Sequence, residues 1–410
     1  MKPDSSQKLL IREKYNMKLD KIYIGGWFQR TTLQLSEVYD FVREGTSQLK
    51  LDQKKLTKLH KELNIKDVNY RIDGLEYILI NTNDEVNIKI FEDGLIVLND
   101  ENVNEFSLLS DLDNLAKYYE TKLSPAINYL FSLGAPVPKE LANIKTVYPY
   151  FIVLNNESKE NIATLLNKTE REKYFEFEND SYDVIRGNKY YFINSKTKDL
   201  SSVERYVEEQ IFIREFKAQL HRYLNLHRII WEKIDAVKEN VKVKGKDIVA
   251  FSSKIDGYRK TVNLIDSRIN QMNTYISTRE KIAKSDENLS ESLALIGYRY
   301  ETLKNTVSYM QQIWAMTKNY LSSADSLFKG LENQITSKSV NNLTIVTSMG
   351  VGASLLGLFT KSEPTFTSFG FVYFFILAFV GYSVNKIMNF VSQNRKYEIS
   401  DIEYDKNIDK

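Results

Sequence analysis

The segment that contains Trp27 and Arg30 has the residue types best suited to binding a small ligand. Both residues follow a glycine pair at 25–26, at the end of a short apolar run, residues 21–24, that predicts a β-strand. Glycine lets a ligand approach the backbone, an indole ring can stack on a base, and a guanidinium group can pair with phosphate. A strand-to-helix turn with a core tryptophan would have the same pattern. We therefore treat Trp27 and Arg30 as candidate ligand-binding residues and keep the packing role open.

Patterns for catalysis and metal binding are scarce elsewhere in the sequence. Cysteine is absent, which excludes a thiolate nucleophile and a zinc–sulfur site. The three histidines are His60, His221 and His227, and the last two stand too far round a predicted helix to share a metal, so we expect structural roles for them. There is no Walker loop, no G-x-G-x-x-G, no H-E-x-x-H and no serine nucleophile elbow. We expect no catalytic residue, no metal ligand and no enzyme activity.

The overall charge argues against nucleic acid as a partner. Lysine and arginine together number 56 and aspartate and glutamate 54, so that the formal net charge is +2 over 410 residues. Domains that bind nucleic acid usually carry a strong basic excess on one face. We therefore expect no direct nucleic-acid binding.

Residues 1–200 show a mixed pattern that predicts an α/β domain, so that the whole chain falls in an α+β class with long helices. Runs rich in Val, Ile, Leu and Tyr alternate with turn residues and with amphipathic stretches. The predicted helices lie near residues 33–63, 107–133 and 157–176. The predicted strands cover residues 21–24, 77–80, 86–90, 95–98, 147–154, 183–185 and 190–193.

Residues 201–341 predict a long helical stalk. Five of the six prolines lie at or before Pro149 and the sixth is Pro364, so the 214 residues between 150 and 363 contain none. Because proline breaks helices, this stretch permits helices of unusual length. The predicted helices cover residues 201–244, 247–284 and about 285–360.

One face of the third stalk helix carries an apolar heptad repeat. The spacings alternate between 4 and 3 for more than four heptads, which predicts a continuous packing seam. The seam either packs on other helices of the same chain or joins identical helices of several chains around a symmetry axis, and its continuation into an apolar span favours the second. Its members are Leu303, Val307, Met310, Trp314, Thr317, Leu321, Ala324, Phe328, Leu331 and Ile335.

Residues 342–392 predict a hairpin of two transmembrane helices, followed by a charged tail at 393–410. Two stretches of 22 residues each, 339–360 and 364–385, contain no charged residue. About 20 helical residues cross the hydrocarbon core of a bilayer. The prediction is thus a multi-pass protein of the inner or plasma membrane, with the lipid bilayer as a partner.

The flanking charges and the residue types predict how the hairpin is oriented. Lysine and arginine precede the first span and follow the second, which places both termini, and the α/β domain, in the cytoplasm. The first span is rich in Gly, Ser and Thr, which suit close helix packing or a pore wall, and the second is rich in Phe, which suits lipid. The first span is therefore expected to be the inner one, although a simple packed anchor remains possible.

This plan resembles that of the CorA-like metal ion transporters, and residues 343–347 look like the opening of that family's inner span. The resemblance implies a funnel-shaped homopentamer in which the inner helices line one pore. A rival register would place Thr344, Ser348 and Gly352 on the pore. The pore-lining residues that the resemblance implies are Leu343, Thr347, Val351, Ser354 and Leu358.

The chain departs from the family at the outer end of the inner span. The family's signature there is Gly-Met-Asn, whereas residues 360–364 read Thr-Lys-Ser-Glu-Pro. Lys361 at a pore mouth would repel divalent cations and Glu363 would attract them. Selective magnesium transport is therefore not expected, although Mg²⁺ or Co²⁺ transport through a divergent filter stays open as an alternative.

A CorA-like protein without the filter motif implies a different role. Some similar proteins accompany type III CRISPR systems, where the implied ligand is the nucleotide second messenger S-adenosylmethionine–AMP, and residues 21–30 look similar to that branch. The resemblance thus implies a nucleotide-gated membrane effector of antiviral defence. The alternatives are a divalent cation transporter and a membrane-tethered oligomeric scaffold.

Overall fold

A computed structural model describes residues 18–29, 34–131, 149–169, 172–238, 242–359 and 368–398. It contains an α+β part built on a nine-stranded sheet, followed by long helices. This confirms the predicted order of an α+β region and a helical region. The helices are α1 (Leu35–Glu44), α2 (Gln53–Glu62), α3 (Leu108–Tyr118), α4 (Ser124–Leu130), α5 (Lys159–Thr169), α6 (Ser201–Lys238), α7 (Gly245–Ser285), α8 (Leu293–Phe359) and α9 (Ser368–Asn394).

The nine strands form one sheet in the order β2-β3-β4-β5-β1-β6-β9-β8-β7. All neighbours pair antiparallel except β6 and β9, which are parallel. The strands are β1 (Leu19–Trp27), β2 (Ile65–Asp73), β3 (Leu75–Thr82), β4 (Asn87–Phe91), β5 (Leu95–Asp100), β6 (Tyr150–Asn155), β7 (Phe175–Glu178), β8 (Tyr182–Arg186) and β9 (Tyr190–Ser195).

Strand β1 lies in the middle of the sheet and is covered on both faces. Ile22 and Ile24 belong to the apolar core formed with the short helices α1 to α4. The alternate residues face α6, because the Tyr23 hydroxyl donates to Glu204 at 3.3 Å and the Trp27 ring packs on Phe216. The period of two along a strand explains this division.

The contacts within the chain fall into two compact units. The first comprises residues 1–224 and 264–311, and the second comprises residues 225–263 and 312–410. In the second unit a short two-stranded ribbon pairs Lys242–Lys244 with Lys396–Glu398. The boundaries that the sequence suggests at residues 200 and 341 remain predictions.

The apolar seam of α8 is buried by helices of the same chain as far as Phe328. In the second unit the Trp314 ring packs on His227, whose Nε2 lies 2.7 Å from the Thr317 hydroxyl, and the Phe328 ring stacks on Phe251. In the first unit Val307 is fully buried as well. The intrachain alternative for this seam is therefore the one observed, because α6 and α7 supply the partners that a bundle of identical helices would otherwise provide.

The two predicted transmembrane spans fall on the end of α8 and on α9. Among the residues that the structure describes, no helix is long and apolar enough to cross a membrane. The hairpin thus remains a prediction. Within α9, several large apolar side chains are exposed, namely Val372, Phe375, Ile376, Phe379, Val380, Ile387, Phe390 and Val391.

Candidate functional site

A cleft in the first unit brings together positive charge and aromatic rings. It has a volume of about 410 Å³ and lies between α6, the start of α8, and the β8–β9 hairpin. Four of its side chains are cationic and two are tyrosines, beside the apolar side chains of Ile213 and Leu303. We call it the cationic cleft. Its cations are Arg186, Arg214, Lys217 and Arg299, and its other polar side chains are Tyr191, His221, Tyr298 and Thr302.

Helical and strand periodicity place these side chains on the cleft. On α6, Arg214, Lys217 and His221 are spaced by three and four residues, which puts them on one helical face. Arg186 ends β8 and pairs directly across the hairpin with Tyr191 of β9. The guanidinium carbon of Arg186 lies 5.3 Å from the Tyr191 ring centroid, within cation–π range. The β8–β9 hairpin and α6 thus both contribute side chains to the lining of the cleft.

Arg214 carries a free-energy cost at its position in the cleft. Its burial lowers the pKa of the guanidinium, and the like charge of Arg186 lowers it further. Its Nε is buried and has no hydrogen-bond partner among the residues that the structure describes. A buried donor and a desolvated charge both cost free energy, and an anion in the cleft would offset both costs.

Carboxylates do not compensate this charge. Among the described residues, no aspartate or glutamate forms an ion pair with any of the four cleft cations, whereas Lys89, which does not line the cleft, pairs with Glu204 and Glu208. Glu215 follows Arg214 in the chain, but burial raises the pKa of its carboxyl to about 8, against the lowering effects of Arg222 and Arg214. Near neutral pH Glu215 is therefore mostly protonated and uncharged. The cleft is a site of net positive potential.

The wall formed by α8 is held by two adjacent side chains. Arg299 donates through Nη1 to the side-chain oxygen of Gln210, and the Tyr300 hydroxyl donates to Glu209. Glu209 also accepts from Arg279 at 3.1 Å, and Arg279 donates through two nitrogens to Asp93. Arg279, Asp93 and Glu209 are all buried. The cleft wall is thus anchored to a buried ionic network.

The structure places Trp27 in the core rather than in an open site. Its side chain is 2 % exposed, its Nε1 donates to the Asp93 carbonyl oxygen at 2.9 Å, and its ring packs on α6. A Cβ on Gly25 would lie 2.7 Å from Ile211, so the space that this glycine leaves is filled by α6. This is the packing role that the sequence left open. Arg30 lies outside the described residues.

The pore residues that the family resemblance implies all belong to α8 or follow it. Thr347 and Val351 are exposed, and the Thr347 hydroxyl donates to the Thr344 carbonyl oxygen at 3.0 Å. Nothing tests whether they line a pore, so the pore face stays a prediction. The described part of the structure does not include the side chains of Leu343, Ser354 and Leu358 or the residues Lys361 and Glu363.

Sequence reasoning did not identify the cationic cleft. The spacing of Arg214, Lys217 and His221 on a predicted helix was a readable signal, although taken alone it equally describes a solvated helix face. Arg186 and Arg299 lie 113 residues apart in the sequence, and no local pattern relates them to each other or to α6. Only the tertiary packing of the hairpin and α8 against α6 brings them together.

Comparison with known proteins does not assign this chain to a family. No protein-family model and no curated protein matches the chain. Among solved structures, the CorA magnesium transporter from Methanocaldococcus jannaschii matches with 11% identity over 61% of this chain and 94% of that one, with a TM-score of 0.25. The full-length CmaX protein matches with 11% identity over 58% and 88% of the two chains, with a TM-score of 0.24. Likeness this weak supports no conclusion about fold or function.

Proposed function

We propose that this protein is a CorA-like membrane effector that binds an anionic nucleotide in the cationic cleft. Ligand binding would change the state of its membrane segment, and the protein would act by binding rather than by catalysis. The observation that carries the proposal is the set of four cations without a carboxylate partner among the described residues, one of them the half-buried Arg214, whose Nε is buried and unbonded. Such an uncompensated cluster of cations in a cleft is typical of a binding site for an anion.

The side chains of the cleft favour a nucleotide over a simple inorganic anion. Guanidinium groups bind phosphate oxygens in a bidentate manner, and tyrosine rings and apolar side chains accept the face of a base. The volume of about 410 Å³ is within the usual range for small-molecule sites. The ligand that the family resemblance implies, S-adenosylmethionine–AMP, has both kinds of group and is therefore the first to test.

The exposed apolar side chains of α9 support the membrane part of the proposal. Phe379 is 70 % exposed and Phe390 is 67 % exposed. Soluble surfaces rarely carry a large contiguous apolar area, and lipid or a protein partner normally covers it. We propose that the bilayer covers α9, that both termini face the cytoplasm, and that several copies of the chain assemble around the first span.

Gating in this account follows from differential affinity. A ligand shifts an equilibrium between two states only by the ratio of its affinities for them. Because Arg299 and Tyr298 of the cleft belong to the same helix that continues to Phe359, a ligand that favours one position of this helical segment would favour one state of the first span. Activation in antiviral defence is the biological role that this mechanism would serve.

Calorimetry on the detergent-purified protein tests the proposal. S-adenosylmethionine–AMP, ADP and pyrophosphate are titrated separately, with Mg²⁺ alone as a further titration. We expect a nucleotide to bind and Arg214→Met and Lys217→Gln each to weaken its binding at least about tenfold, since each removes a charge-assisted contact. Arg228→Gln, an exposed arginine of α6 outside the cleft, is the matched control and should leave the affinity unchanged.

The other outcomes point to other functions. Saturable Mg²⁺ binding without nucleotide binding would favour the divalent cation transporter. Binding of pyrophosphate as tightly as the nucleotides would show that the cleft reads phosphate alone. Nucleotide binding that the two cleft variants leave unchanged would show that the ligand binds elsewhere and would contradict the proposed site.

A further inference from the structure

Arg299 differs from the other cleft cations because a buried side chain holds it. Gln210 is 2 % exposed and accepts through Oε1 from Nη1 of Arg299. A guanidinium group has five N–H donors in a planar fork, so this one contact leaves the remaining donors available to a ligand. The Gln210 oxygen thus fixes the orientation of the Arg299 guanidinium group while using only one of its N–H donors.

The backbone beneath Arg299 is fixed independently. The next residue, Tyr300, is fully buried and donates its hydroxyl to Glu209, the neighbour of Gln210 on α6. Arg299 and Tyr300, consecutive on α8, therefore bond Gln210 and Glu209, which are consecutive on α6. The Arg299 bond lies at the cleft wall, and the Tyr300 bond is buried. Tyr300 sets the position of the helix, and Gln210 sets the direction of the side chain.

Within the part of the chain that the structure describes, the Gln210 amide has no other hydrogen-bond partner. Its Nε2 is buried and makes no hydrogen bond. A buried amide that leaves its donor unsatisfied carries a free-energy cost, and its one bond is to the cleft arginine. A residue selected for stability alone would be better replaced by an apolar side chain of the same size. This cost indicates a role that depends on Arg299.

We infer that Gln210 is a positioning residue for the nucleotide site, which orients Arg299 towards a ligand phosphate without touching the ligand. The inference rests on the proposed function, because it assigns how one residue of that site is preorganised. When a mobile arginine binds a ligand, its side chain loses conformational entropy, which weakens binding. A supporting hydrogen bond orders the side chain before the ligand arrives, so that binding no longer carries this cost. Competition is the opposite possibility, in which Gln210 withholds Arg299 from the ligand.

A double-mutant cycle tests the inference. The affinity for S-adenosylmethionine–AMP, with ADP as the second nucleotide, is measured for the wild type, Gln210→Met, Arg299→Met and the double variant. We expect Gln210→Met to raise Kd about three- to tenfold, which is the usual effect of leaving one long side chain to be ordered. In the Arg299→Met background the same substitution should have no effect, since its target is gone.

Gln219→Met is the matched control. Gln219 is 3 % exposed on the same helix, does not line the cleft, and hydrogen-bonds Tyr223. Its substitution also removes a buried amide, so an unchanged Kd separates positioning from a general loosening of α6. Thermal unfolding without ligand checks that each variant is folded, and Gln210→Leu with Arg299→Leu repeats the cycle if a methionine variant fails this check.

The outcomes distinguish the inference from the proposal beneath it. If the wild type binds no nucleotide, both are overturned. If the wild type binds and Arg214→Met abolishes binding, but Gln210→Met changes Kd equally in both backgrounds or not at all, only the positioning role is overturned. Tighter binding by Gln210→Met would also overturn it and would indicate competition for Arg299.

Discussion

Arg214 has properties that suit a ligand site better than a structural one. Its pKa is lowered by burial and by Arg186, and its Nε is unbonded, so its charge costs folding free energy when the cleft holds no anion. Arg279, by contrast, is fully buried and bonded to two carboxylates, whereas Arg214 is half-buried. Loss of the charge at Arg214 should therefore leave the stability of the fold unchanged or raise it, whereas loss of the charge at Arg279 should lower it.

Replacing Arg214 by methionine should weaken ligand binding without weakening the fold. Arg214→Met keeps most of the side-chain length and removes a desolvated charge, so we expect the thermal unfolding temperature to stay the same or to rise by about 2 °C. Thermal unfolding in detergent without ligand measures this. A fall of more than a few degrees would show that Arg214 serves the fold and would weaken its assignment to a ligand site.

Glu215 should make stability depend on pH near neutrality. Its pKa is raised by burial from the ordinary value of 4.5 to about 8, so between these values the folded protein keeps a proton that the unfolded chain loses. The contribution of this residue is therefore complete below the unfolded pKa and is lost as pH rises through the folded pKa. Because glutamine does not ionise, Glu215→Gln should match the wild type near pH 4 and exceed its stability by a few kcal/mol near pH 8.5.

Urea unfolding at a series of pH values, followed by tryptophan fluorescence, measures the effect of Glu215→Gln. The difference between the two proteins should grow as pH rises through the interval. Parallel pH profiles for wild type and variant would contradict the assignment of a raised pKa to Glu215. Lys159→Gln, at an exposed ion pair on α5, is a control that should show no such divergence.

At the scale of elements, Arg279 joins three parts of the first unit. It lies on α7, bonds Glu209 on α6, and bonds Asp93 in the turn between β4 and β5. We expect Arg279→Met to lower the free energy of unfolding by about 3–5 kcal/mol, because two carboxylates would be left buried without a counter-charge. Arg228→Met, at an exposed pair on α6, should cost no more than about 1 kcal/mol. Equal effects of the two substitutions would contradict this account.

The elements themselves were largely readable from the sequence. The strands predicted at 77–80, 86–90 and 95–98 are confirmed as β3, β4 and β5, and the two stalk helices predicted from 201 and 247 are confirmed as α6 and α7. The first of these helices ends earlier than predicted, at Lys238, and residues 242–244 form a strand instead, because they pair with residues 396–398. These elements are predictable because their signals lie within short stretches of sequence: alternating apolar residues with turn residues indicate the strands, and a stretch without proline permits the long helices.

Elements without a clear local signal were missed. β7 (Phe175–Glu178) has the sequence Phe-Glu-Phe-Glu and is not predicted as a strand; its first two residues fall at the end of the helix predicted near 157–176, because two apolar residues are too few to show a period. β2 carries polar residues on an edge of the sheet and was not predicted either. The parallel pairing of β6 with β9 joins strands far apart in sequence, and no local pattern specifies it.

We expect copies of the whole chain to associate with one another. Tyr309 and Met316, seven residues apart on α8, are more than half exposed, whereas the seam on the same helix is buried. Tyr309 belongs to the first unit and Met316 to the second, and each is a large apolar side chain outside the intrachain seam that a second copy would cover. We propose the homopentamer that the family resemblance implies.

Light scattering with correction for bound detergent tests the assembly. We expect the protein mass to be five times the chain mass of 47.8 kDa, and Tyr309→Lys with Met316→Lys to reduce it. Lys substitutions at Ser322 and Ser326, exposed on the same helix, are the control and should leave the mass unchanged. A particle with the mass of one chain would contradict the assembly and leave the cationic cleft to act within a monomer.

Ion flux from liposomes that contain the purified protein tests most directly whether a nucleotide in the cationic cleft gates the membrane segment. We predict little flux without ligand, flux when S-adenosylmethionine–AMP is added to the side that the cleft faces, and loss of that response in Arg214→Met at the same protein content. Flux driven by Mg²⁺ alone, or a nucleotide response that Arg214→Met retains in full, would contradict the account.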